Sequence, residues 1–111
     1  MNSNWKLYLD DVRNRPEGFV LARSYAEAID LVQKLGCPRF ISFDHDLGLF
    51  DDGTELNGHD FAKWLIEGDL DGKVLIPQDF TFNVHSSNPK GRENIKGILD
   101  NYLKFREKEQ K

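Results

Sequence analysis

The sequence predicts an α/β domain on a mainly parallel sheet of about four strands in the order 2-1-3-4, with helices on both faces. Three observations predict it. Short apolar runs alternate with stretches of helical periodicity in the pattern strand, strand-helix, strand-helix, strand-helix. Three of those apolar runs end in clusters of the same polar kind, as strands do when their carboxyl ends share one edge. The chain has 111 residues, enough for one hydrophobic core and too few for two, so residues 1–111 read as a single domain.

Each element has its own local reason. Trp5–Leu9 runs apolar through Trp5, Leu7, Tyr8 and Leu9 and stops at Asp10-Asp11, the profile of a buried strand. Arg15-Pro16-Glu17-Gly18 reads as a turn, and Phe19–Ala22 as a second short strand. The link from Asp10 to Gly18 is short for a parallel crossover, which calls for a small helix or an extended loop packed on one face. Ser24 and Glu27 form an S-x-x-E capping box that starts a helix, Ala28, Leu31, Val32 and Leu35 repeat along it, and Gly36 stops it. Cys37-Pro38 breaks the chain before a third strand, Arg39–Phe43, which ends at Asp44-His45-Asp46.

Residues 47–56 read as a polar loop. Asn57 and Asp60 then cap a helix with Phe61, Trp64 and Leu65 on its inner face and Gly68 at its end. His59, at the start of that helix, reads as a surface or capping residue. Lys73–Ile76 reads as a minor extended piece closed by Pro77, and Phe80–Val84 as a fourth strand ending at His85. Asn88-Pro89 is a helix start, and Ile95, Ile98, Leu99, Tyr102 and Leu103 keep one apolar face along that helix. Residues 106–111 read as a charged, frayed tail. The expected core draws on Leu7, Leu9, Val20, Ala28, Leu31, Val32, Ile41, Phe43, Phe61, Leu65, Phe82, Val84, Ile95, Leu99 and Tyr102.

Composition narrows the function. The formal net charge is −4 and the pI about 5.3, which argues against duplex DNA or an anionic membrane as a partner attracted by bulk charge. No apolar run approaches the roughly 20 residues of a membrane span. One cysteine, Cys37, excludes an internal disulfide, and with no signal-like N-terminus the expected location is cytoplasmic. The average charge conceals an asymmetry: residues 40–79 hold ten acids against two bases, a net of −8, while the rest of the chain is at +4. A solvated acidic loop would explain those acids one by one. So many carboxylates also suit a divalent cation, because hard cations take oxygen ligands.

Placing the acids on the fold favours the cation. In the order 2-1-3-4 the strand reversal lies between strands one and three, where Asp10 and Asp11 would face Asp44 and Asp46 with His45 and His85 nearby. Carboxylates crowded in this way repel, and a cation offsets the repulsion. Oxygen ligation by Asp10, Asp11, Asp44 and Asp46 favours Mg²⁺ or Mn²⁺, and a histidine ligand moves the preference towards Mn²⁺, Fe²⁺ or Zn²⁺. A phosphate has separate support. His85-Ser86-Ser87-Asn88-Pro89 joins a strand end to a helix N-terminus, where free amides attract anions, and Ser86, Ser87, Asn88, Arg92 and Arg13 supply further donors. Ser86 or Ser87 as a nucleophile beside His85 has no G-x-S-x-G elbow to support it.

These residues carry a resemblance. Leu9-Asp10-Asp11, the capped helix from Ser24 to Leu35, Asp44 and Gly58 resemble a response-regulator receiver domain, a flavodoxin-like three-layer sandwich. In receivers an acidic pair and a third-strand aspartate, here Asp10, Asp11 and Asp44, bind Mg²⁺, and that aspartate is phosphorylated. The receiver's fifth strand with its lysine has no counterpart here, and its fourth-strand Ser/Thr is replaced by His85-Ser86-Ser87-Asn88-Pro89. The chain is more similar to a receiver-like family described as cyclic-phosphate-processing. The shared segments are Leu9-Asp10-Asp11-Val12-Arg13, Asp44-His45-Asp46-Leu47-Gly48 and His85 through Ile95, within a resemblance covering about residues 5–104. The resemblance implies a metal-dependent phosphoesterase acting on a phosphorylated or cyclic-phosphate nucleotide or RNA end. Asp10, Asp11, Asp44 and Asp46 would hold the metal, and His85, Asp44 and His45 would act in catalysis. The alternative is a non-enzymatic module, either a degenerate receiver or a binder that sequesters such a nucleotide.

Overall fold

A computed structural model of the chain describes residues 4–11, 13–44, 57–86 and 88–109. The elements, in chain order, are strand β1 (Lys6–Leu9), strand β2 (Val20–Ala22), helix α1 (Tyr25–Leu35), strand β3 (Phe40–Phe43), helix α2 (Gly58–Leu70), strand β4 (Thr81–Val84) and helix α3 (Pro89–Glu109). The sheet is four-stranded, parallel throughout, in the order β2-β1-β3-β4. Class, strand order and pairing are those the sequence predicts.

Register divides the side chains into two sets. Leu7, Leu9, Ala22, Ile41 and Phe43 point to one face and are buried there with Ala28 and Val32 of α1, Phe61 and Leu65 of α2, and Ile95 and Leu99 of α3. Tyr8, Leu21, Ser42 and Asn83 stand in one row on the opposite face. All three helices cover the first face, α1 packed on α2 and α2 on α3. Among the described residues no helix covers the second face, which corrects the expected layering. The reason is handedness. The crossovers β2–α1–β3 and β3–α2–β4 run the same way along the sheet, so right-handed connections place both helices on one side. Only the β1-to-β2 crossover runs the other way, and its described residues, 13–19, form no helix. That link instead turns at Pro16–Phe19, with Phe19 N–H donating to Pro16 O (3.3 Å) and Gly18 at φ 87°, and sets Phe19 edge-on against Tyr8 on the second face.

Several local expectations shift. Ser24 Oγ accepts the Glu27 N–H (3.2 Å) as a capping box requires, but Glu27 Oε1 accepts the N–H of Arg23 (2.7 Å) rather than that of Ser24. Asn57 and Asp60 form the complete box at the start of α2. Gly68 does not end α2. A Cβ there would stand 2.5 Å from Val74 Cγ2, so the glycine serves close packing, and the helix stops two residues later before Gly72, at φ 73°. Lys73–Ile76 is not a strand: Lys73 and Val74 donate back to Gly68 O, and Val74 and Ile76 drop into the core.

The 106–109 part of the expected frayed tail is helical. Arg106 lies 3.6 Å from Asp69 Oδ2, an oxygen that also accepts the Tyr102 hydroxyl, so α3 is tied to α2 near its end. Of the expected core, Val20, Leu31, Phe82 and Val84 are only half-buried. Val20 lies on one edge strand, and Phe82 and Val84 on the other. Among the described residues no helix is long and apolar enough to cross a membrane.

Candidate functional site

The ladder of parallel pairing continues one residue beyond the strands. Asp10 N–H donates to Ala22 O (3.0 Å), Asp44 N–H to Leu9 O (2.9 Å) and His85 N–H to Phe43 O (2.9 Å). Arg23, Asp10, Asp44 and His85 therefore stand side by side along the carboxyl edge, one residue past their strands. Side chains alternate along a strand, so this row lies two residues above Leu21, Tyr8, Ser42 and Asn83 on the same face, opposite the helices. The site is built from these two rows.

Asp10 is wholly buried, and both its oxygens are engaged. Oδ1 accepts the Arg13 N–H (2.8 Å), while Oδ2 accepts Arg13 Nη1 (3.1 Å) and faces His85 Nε2 (2.8 Å). Nε2 carries a proton wherever it faces an ionised Asp10, since a carboxylate only accepts. The other ring nitrogen, Nδ1, lies 2.7 Å from Ser42 Oγ, which donates to Asn83 Oδ1 (2.6 Å). Tyr8 stacks flat on the imidazole, with centroids 4.5 Å apart and planes 2° from parallel. Burial pushes the Tyr8 phenol up, and the Asp10 carboxylate adds to the rise. The hydrogen bond to Asp10 pushes the Arg13 guanidinium up from an already high value. His85 is thus fixed by three neighbours while keeping 18% of its side chain exposed.

Asp10, Asp44 and His85 converge: each offers a ligating atom, and the three atoms lie within 4.8 Å of one another. Such a group could hold a metal ion, with the imidazole as a third ligand only through a nitrogen that carries no proton. Two buried carboxylates this close also need positive charge beside them, now supplied by Arg13.

The other expected site residues divide. Asp11 is buried but does not belong to the convergent group. Ser86 and Asn88 shape the start of α3: Ser86 Oγ accepts the Asn88 N–H (3.1 Å), Asn88 Oδ1 accepts the Gly91 N–H (3.0 Å), and Arg92 Nη1 reaches Ser86 O (3.4 Å). Arg13 stands on Asp10. His45, Asp46 and Ser87 lie outside the described residues. His59 is half-buried in the first turn of α2, where Asn57 and Asp60 supply the caps. Sequence reasoning missed Tyr8, Ser42 and Asn83. Each lies two residues before a recognised strand-end group, and that same-face spacing is the signal that could have found them.

No curated protein and no solved structure matches the chain. The family model described as the cyclic-phosphate processing receiver domain matches residues 5–101, nearly the whole chain. The motifs it spans include the residues that build this edge, from Leu9-Asp10-Asp11 through Asp44 to His85. The chain belongs to the cyclic-phosphate processing receiver domain family.

Proposed function

We propose that the protein is a metal-dependent phosphoesterase acting on a cyclic phosphate of a nucleotide or RNA end. The observation that carries this reading is the convergence of Asp10, Asp44 and His85 at the carboxyl edge of the sheet. Asp10 and Asp44 would hold the cation, with Asp11 and Asp46 as further expected ligands. Arg13, Arg92, Ser86, Ser87 and Asn88 would receive the phosphate ahead of α3. When bound, the cation neutralises charge on the phosphate and acidifies a water. Opening the ring adds one water: a P–O bond to the water oxygen forms and the P–O bond of the ring breaks. Asp44, with His45 as the other candidate, takes the proton from the water, and His85 Nε2 gives one to the leaving oxygen.

One observation favours a second reading, a module that binds such a nucleotide without turning it over. Both ring nitrogens of His85 are already engaged, with Ser42 and Asp10. To act as an acid, His85 must exchange Asp10 for the ligand.

A single set of assays tests both. With Mn²⁺, 2′,3′-cyclic nucleotides or cyclic dinucleotides should be hydrolysed, and chelator or Asp10→Asn should abolish the reaction. Mn²⁺ should also raise the melting temperature of the wild type and not that of Asp10→Asn. Tight binding of a cyclic nucleotide with no product would establish the second reading. A wild type that melts at the same temperature with and without Mn²⁺ would remove the cation from the argument.

A further inference from the structure

We propose that Arg13 is a tethered counter-cation that couples cation binding to phosphate binding. It holds Asp10 while the site is free of ligand and leaves when a phosphate offers its guanidinium a better partner. The inference rests on the site reading above and deepens it.

The contacts are two-handed. Arg13 grips Asp10 with its backbone N–H at Oδ1 (2.8 Å) and its guanidinium at Oδ2 (3.1 Å). The two ends of this pair differ sharply: the Asp10 side chain is 0% exposed and that of Arg13 is 51% exposed. Asp10 therefore cannot leave, while the guanidinium can rotate outward with little loss of packing. A guanidinium has five N–H donors in a planar fork, and a phosphate accepts two of them in parallel. Half-exposed and at the edge of the site, Arg13 is placed to trade one anion for another.

A cation approaching Asp10 meets a positive group already on Oδ2, beside His85 Nε2 at 2.8 Å. It must displace that guanidinium or bind less well, so the apparent cation affinity falls with the fraction of molecules in which Arg13 is docked. The movement required is confined to a side chain. Arg23 Nη1 donates to Arg13 O (2.9 Å) and reaches Asp10 O (3.5 Å), which pins the backbone of the β1–β2 link. Drawing the guanidinium onto a phosphate frees Oδ2, so a phosphate raises cation affinity. By reciprocity a cation raises phosphate affinity by the same factor.

The test measures Mn²⁺ binding at micromolar concentration by its EPR signal, on the full chain, with and without inorganic phosphate. For the wild type, phosphate should raise Mn²⁺ affinity about tenfold. Arg13→Ala should bind Mn²⁺ about tenfold more tightly than wild type without phosphate, and phosphate should then add little. Arg13→Lys keeps the charge without the fork and should fall between the two, providing the comparison if Arg13→Ala fails a far-UV dichroism check of folding. The proposal is overturned if Arg13→Ala binds Mn²⁺ no better than wild type, or if phosphate helps that variant as much as it helps wild type. It is equally overturned if, with Arg13→Ala unfolded, Arg13→Lys matches wild type. Absence of Mn²⁺ binding in every protein would overturn the cation reading as a whole, whereas binding that ignores Arg13 would overturn only the coupling.

Discussion

His85 is held by Asp10, Ser42 and Tyr8, and the holding residues make separable predictions. Ser42 is buried and shares its oxygen between Nδ1 of His85 and Oδ1 of Asn83. Ser42→Ala should cost about 1–3 kcal/mol in urea unfolding, because Nδ1 then faces a methyl group. His85→Ala should lower turnover of a cyclic nucleotide by roughly 10²–10⁴-fold if the ring is the proton donor. An unchanged rate in His85→Ala would move the proton transfer elsewhere, whatever the Mn²⁺ response. The sequence displays Asp10, Asp44 and His85 because each ends an apolar run. Ser42 and Asn83 look like ordinary strand positions, and only the register shows that they lie under that edge. Arg13 is legible as a cation near the acids but not as the residue that occupies Asp10, since hydrogen-bond choice depends on distances of a few tenths of an ångström.

At the level of elements, propensity and capping foretell the starts of helices better than their ends. Ser24, Asn57 and Asn88 each stand where a helix begins, because their short side chains satisfy amides that no turn of helix can. The ends depend on packing from distant residues. Gly68 reads as a stop, yet its lack of a side chain admits Val74, and the positive φ falls at Gly72. Two glycines give opposite expectations. Gly68→Ala should destabilise by about 1–3 kcal/mol through overpacking, despite the better helix propensity of alanine. Gly97→Ala in α3 meets nothing within 4 Å and should stabilise by about 0.5–1 kcal/mol. Thermal melts of the two variants check both, and a stabilised Gly68→Ala would show that α2 and Val74 can move apart. The far end of α3 was illegible for a similar reason: Arg106 reads as part of a charged run until Asp69 is seen beside it.

For the whole molecule, handedness explains why the site lies on the face opposite the three helices. The short link after Asp10 already limited that crossover to a small helix or a loop, and its turn brings Phe19 against Tyr8 on the second face. On the helical face two buried groups give the molecule an alkaline limit. Burial pushes the Cys37 thiol up to about 12. Burial, together with the hydrogen bond to Asp69, pushes the Tyr102 phenol up to about 12. Both groups keep their protons in the folded protein at pH values where an unfolded cysteine near 8.5 and tyrosine near 10 have lost theirs. The folded state then binds more protons than the unfolded state, so stability falls as pH rises. Their contribution is whole below about pH 8 and is lost progressively from about pH 9 to about pH 12. The urea midpoint should follow that course, and Tyr102→Phe should flatten its upper part. Cys37 should react with a disulfide reagent at pH 8 only as fast as the protein opens, so labelling should accelerate with urea in step with unfolding. Labelling at the rate of a free thiol in native buffer would mean that the space between α1 and the α2–β4 link opens without unfolding.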